Sequence, residues 1–112
     1  MFIGFYVSRL SGIGHISPPF ARGGQGIVLA ADVFDVPGGG TALAILVQHK
    51  NLEDTAWVSL GSFTPISSMG VKHFDASGCK EQLRLVFTVS GGASPQVYDT
   101  FYLDMLPPVW RP

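Results

Sequence analysis

Fourteen Gly and eight Pro are strewn along this 112-residue chain, in clusters that recur about every ten residues. Proline has no backbone N–H and glycine weakens a helix, so little helix of ordinary length fits between such breaks. No long stretch carries a helical period. What lies between the breaks is short, β-branched and aromatic. Runs of that kind with regular turn signals predict an all-β fold, an antiparallel β-sandwich of about eight strands, jelly-roll-like or carbohydrate-binding-module-like.

Period-two alternation assigns the faces. Residues 27–36 read as a strand with Ile27, Leu29, Ala31 and Val33 on one face and Asp32 on the other. Residues 41–49 place Leu43, Ile45 and Val47 opposite Ala42, Ala44, Leu46 and Gln48, which is apolar on both sides and suits a central strand. Residues 82–89 are the clearest amphipathic strand, with Leu83, Leu85, Phe87 and Val89 facing in. Residues 97–105 set Val97, Phe101, Leu103 and Met105 against Tyr98, Thr100, Tyr102 and Asp104. Shorter strands are expected over 2–8, 55–60, 62–66 and 71–75, with Trp57 a core or interface residue and Pro65 keeping its segment at an edge.

Two segments resist assignment to a sandwich. Residues 9–26 are rich in Gly, Ser and Pro and read as a long loop or arm. Residues 106–112 hold three Pro in seven positions, so they read as an extended, polyproline-like tail that cannot prolong a central strand. The whole, residues 1–112, is one domain.

Composition narrows function by exclusion. Only 13% of the residues are charged and the net charge is −1, with seven Lys and Arg scattered singly. That excludes the basic stripe of a nucleic-acid binder. A surface with so few charges suits an assembled protein or a Ser/Thr/Gly-covered monomer. Met1 to Leu10 is apolar but lacks the basic start of a signal peptide and the length of a membrane span, so synthesis in the cytoplasm and no membrane insertion are expected.

No catalytic or cofactor pattern stands out. His15, His49 and His73 are far apart, outside any zinc-site spacing, so no metal and no cofactor are expected. Glu53 and Asp54 share a hairpin loop without calcium-loop spacing. The segments 23–26 and 37–40 are Gly-rich but lack the Lys-Ser/Thr of a phosphate loop. Cys79 has no cysteine partner and reads as a packing thiol. The expectation is a protein that is not an enzyme. Tyr and Trp suit protein interfaces and sugar stacking alike, or they close the ends of a small core. The candidate interface comprises Arg9, Ile13, Phe20 and Arg22 in the long loop, Tyr98 and Tyr102 on the last strand, and Pro107, Pro108, Trp110 and Arg111 in the tail.

One set of segments carries a resemblance. Residues 45–49 end in Val-Gln-His; Glu53-Asp54 and Trp57 follow; residues 60–64 read Leu-Gly-Ser-Phe-Thr; and residues 84–95 read Arg-Leu-Val-Phe-Thr-Val-Ser-Gly-Gly-Ala-Ser-Pro. This pattern, over residues 26–105, resembles small β-sandwich structural proteins of tailed phages and phage-like gene transfer agents. Residues 50–54 replace the Ser-x-Asp-Gly turn of that pattern, which leaves the position in the particle open. The resemblance implies a non-enzymatic virion protein on the particle head: a decoration or cementing protein, or the base of a spike or fibre. Its partners would be capsid or other virion proteins and further copies of itself, as a trimer or pentamer. The alternative is a carbohydrate-binding module that adheres to cell-surface polysaccharide. On this reading the loop and the tail reach neighbours, and deleting residues 106–112 leaves the domain folded.

Overall fold

The computed structural model describes residues 5–8, 15–37, 40–91 and 100–112, the first of these segments as backbone. Among them are ten strand segments and no helix: β1 (Phe5–Ser8), β2 (His15–Ile16), β3 (Phe20–Ala21), β4 (Gly26–Asp35), β5 (Thr41–Lys50), β6 (Val58–Ser62), β7 (Gly70–Ser77), β8 (Gln82–Gly91), β9 (Thr100–Met105) and β10 (Val109–Arg111). All pairings are antiparallel, in two sheets.

β7 fills one edge of β4, so β9 and β10 share the other edge, one after the other. In the same way β5 fills one edge of β8, and β2 and β3 follow each other along the opposite edge. Counting each such pair as one interrupted strand, the sheet orders are β1–β9/β10–β4–β7 and β2/β3–β8–β5–β6, eight strands in all. Every connection crosses between sheets except β5 to β6. That connectivity is the jelly roll, two Greek keys wrapped into a sandwich.

The faces read from alternation are the buried ones. Ile27, Leu29, Ala31 and Val33 from β4 meet Leu43, Ile45 and Val47 from β5 and Leu83, Leu85, Phe87 and Val89 from β8 in one core. Phe101, Leu103 and Met105 complete it from β9, while Val97 lies outside the described residues. Phe63 and Ile66 pack in from the β6–β7 connection, where Phe63 stacks on Phe74 with ring centroids 5.6 Å apart. β6 starts at Val58 instead of residue 55 and takes in Ser62, while residues 63–66 are tied to β5 by the Phe63 N–H on the Ile45 carbonyl and the Leu43–Ile66 bridge instead of forming a strand of their own.

The loop and the tail need correcting. Residues 15–26 are no free arm: β2 and β3 pair with β8. Between them buried Ser17 donates its N–H to the Leu85 carbonyl and accepts the Leu85 N–H on Oγ, each at 2.8 Å. The tail also pairs, Val109–Arg111 lying against Gly26–Val28 of β4. Both errors have one cause. Pro18-Pro19 and Pro107-Pro108 sit where four residues step past three of the partner strand, so the missing N–H groups fall in a bulge and cost no ladder bond.

The two post-proline segments then meet. Phe20 of β3 and Trp110 of β10 pack edge to face with centroids 6.4 Å apart, and both lie against the core. Trp110 lies over Gly23, and the Arg111 carbonyl lies over Gly24, so closely that a Cβ at either position would overlap its neighbour. The Gly-rich segment 23–26 therefore makes room for the tail.

Trp110→Ala is expected to lower unfolding free energy by about 2 kcal/mol or more through lost burial. Gly24→Ala is expected to cost about 1–3 kcal/mol through overlap with backbone. Urea denaturation checks both, and unchanged midpoints would mean that the tail is not part of the folded unit.

Candidate interaction surfaces

The outer face of the β1–β9/β10–β4–β7 sheet is built by the alternate residues of its strands. Phe34, Val71, Tyr102, Leu106 and Val109 stand there between 41% and 62% exposed, among charged residues. The Phe34 and Tyr102 rings adjoin at 6.4 Å, next to a β-bulge that pushes Phe34 outward. In the middle of the face Asp32 and Asp104 are direct cross-strand partners. Like charges in that position oppose each other. Among the described residues neither is in an ion pair. Two further carboxylates lie on this face: exposed Asp35, opposite Tyr102, and Asp75, which is held by a two-pronged Arg111 contact with both bonds at 2.8 Å.

The outer face of the β2/β3–β8–β5–β6 sheet has the opposite sign. Arg84 of β8 donates from Nε to Gln48 of β5 at 2.7 Å and lays its guanidinium over the Trp57 ring, 4.5 Å from the centroid. Lys50 places its Nζ 5.3 Å from the same centroid and donates it to the Asp54 carbonyl. The outward positions of β5 and β8 carry no carboxylate. Ile16, half exposed, adjoins Val86 on this face.

The sequence-selected residues divide between structure and surface. Arg9, Ile13 and Tyr98 lie outside the described residues. Phe20 and Trp110 are turned into the core edge. Arg22 binds the Cys79 carbonyl at 2.6 Å through its guanidinium, and its backbone N–H donates to Glu81. Arg111 is engaged with Asp75, and Pro108 is half-buried. Tyr102 and Pro107 remain on the open surface. Asp104, Arg84 and Lys50 escaped selection, because charged residues on a strand carry no sign of their cross-strand neighbours.

One end of the sandwich is sewn with polar bonds. Glu81 accepts the Leu52 N–H at 2.9 Å, Asp54 accepts the Asn51 N–H at 2.9 Å, and Lys80 lies 3.9 Å from Asp54. His49 is buried beneath this layer, where its Nδ1 accepts the Lys80 N–H at 3.1 Å. Burial, and then the Lys80 cation, push its pKa below the ordinary value of 6.5. Cys79 is buried alongside; burial raises the pKa of its thiol against the smaller opposing pull of Arg22, which disfavours a reactive thiolate.

A shallow cleft of about 300 Å³ lies on the opposite side, lined by Phe63, Thr64, Pro65, Val71, Lys72 and His73. Its Lys72 ammonium donates to Ser68. Among the described residues no three His, Cys, Asp or Glu are grouped to hold a metal, and no helix is long and apolar enough to cross a membrane. Compared with protein families and with curated proteins, the chain matches no family model and no curated protein.

His49 gives the fold a pH dependence of known sign. Its native pKa lies below the unfolded one, so the unfolded chain binds the proton first as pH falls. Stability is expected to hold above pH 6.5, to decline below it, and to level off below the native pKa. His49→Asn keeps a hydrogen-bond acceptor without the titration and is expected to flatten that decline. Melting temperatures of both proteins from about pH 5 to 8 check this.

Proposed function

We propose that the protein is a non-enzymatic structural component of a phage-like particle, attached to its head as a decoration, a cement or the base of a spike or fibre. The observation that carries this reading is the set of large apolar side chains exposed on the outer face of the β1–β9/β10–β4–β7 sheet: Phe34, Val71, Tyr102, Leu106 and Val109. Exposed apolar side chains gathered on one sheet face, with Phe34 against Tyr102, suit a contact with another protein. The resemblance over residues 26–105 favours a virion protein as that partner. The jelly roll is compatible with it, since that architecture serves capsid and lectin domains among others, although fold alone assigns no function.

On this reading the chain is made in a bacterial cytoplasm, works on the particle surface, and binds capsid proteins and further copies of itself. The polysaccharide-binding alternative draws less support, because its aromatic platforms are in use. The Arg84 guanidinium lies over Trp57, and Trp110 packs against Phe20.

Sedimentation tests the proposal. In particles purified from the bacterium that encodes the chain, it is expected to travel with tail-free heads in fixed proportion to the capsid protein. A chain that stays in the soluble fraction while heads sediment overturns the reading. Retention of that soluble chain on immobilised surface polysaccharide would then favour the alternative.

A further inference from the structure

The two outer faces of the sandwich are complementary to each other and mismatched with themselves. One face sets Asp32 and Asp104 at its centre and Asp35 beside them, among exposed apolar side chains; His73 shares the face and Arg111 is taken up by Asp75, so that among the described residues no ion pair engages Asp32, Asp35 or Asp104. Lys72, on the adjacent strand β7, alternates to the other side and is bound to Ser68. The other face carries Arg84 and Lys50 around Trp57, with Ile16 and Val86 beside them and no carboxylate on β5 or β8. Trp, Tyr and Arg are the side chains that most often anchor protein contacts, and the two faces hold all three.

We infer that copies of this chain associate head to tail, the Asp32/Asp104 face of one copy against the Arg84/Lys50/Trp57 face of the next. The occupant is a second copy because both halves of the contact are present on one chain. A two-fold dimer is disfavoured, since it sets either four carboxylates or four cations against one another. The cross-strand repulsion between Asp32 and Asp104 is relieved when a guanidinium or ammonium enters between them. A head-to-tail contact leaves one face open at each end, so it closes into a ring or continues as a stack. The inference rests on the proposed assembly role for its biological meaning, and it is tested separately from that role.

The test is sedimentation velocity of the isolated full chain over a concentration series at low and high salt. Wild type is expected to pass beyond the dimer, to a closed trimer or pentamer or to open-ended growth, and to weaken as salt rises. Asp32→Lys/Asp104→Lys and Lys50→Glu/Arg84→Glu are each expected to lower the association constant by at least about tenfold. An equimolar mixture of the two variants is expected to recover association, because each then meets a face of opposite sign. That recovery separates a lost contact from damaged folding. A wild type that stays monomeric, a species that stops at the dimer, or variants that do not complement overturns the inference. A chain that sediments with particle heads but remains monomeric in solution would refute this contact and leave the proposed function standing.

Discussion

The register between β5 and β8 governs the rest of the molecule. Ten residues of each strand pair without interruption, from Thr41 with Gly91 to Lys50 with Gln82. A slip of one residue would send Leu43, Ile45 and Val47 to solvent and bring Gln48 into the core. The alternation in both strands is clean enough to forbid that slip. Once it is set, β6 hangs on the free edge of β5, and β2 and β3 on the free edge of β8. The opposing sheet is then confined to the surface that Leu43, Ile45, Leu85 and Phe87 present. Such pairing is distant in sequence, so its loop-closure entropy must be met before its contacts form, and folding is expected to be slow for a chain this short.

The same architecture explains why the aromatic residues do different work. Trp110 is reached through a proline bulge and lies over a glycine, so it acts as a latch between the last strand and β3. Trp57 precedes β6 and stays outside, flattened under Arg84. Tyr102 lies on the outer face of β9, against Phe34. Residue type alone does not separate a latch, a platform and an exposed contact. The difference lies in which edge of which sheet each one reaches.

The long strands were legible because they are long. Alternation over residues 27–33, 41–47, 83–89 and 101–105 is enough to assign faces, and those are the buried faces. His49 shares the parity of Val47 and could have been added to that inward set; its buried position follows from the same rule. The two- and three-residue strands β2, β3 and β10 are too short to show a period, and the prolines beside them argue for loop. The surfaces were harder still. Asp32 was assigned outward from its own strand, but its partner Asp104 comes from a strand far along the chain. A single sequence gives no register between such strands. The opposition of acidic and basic faces therefore emerges only from the folded sheet order.

The proline bulges bear also on how this protein meets others. An edge strand with a full row of free N–H and C=O groups recruits any extended chain and grows into amyloid-like sheets. Here one edge of one sheet is the β2/β3 strand, broken at its middle by Pro18-Pro19, and the β7 edge of the other sheet carries a lysine, Lys72. Both edges are poor templates for strand addition. At those two edges strand addition gives way to contacts between side chains, and contacts of that kind are chosen by shape and sign and come apart when conditions change.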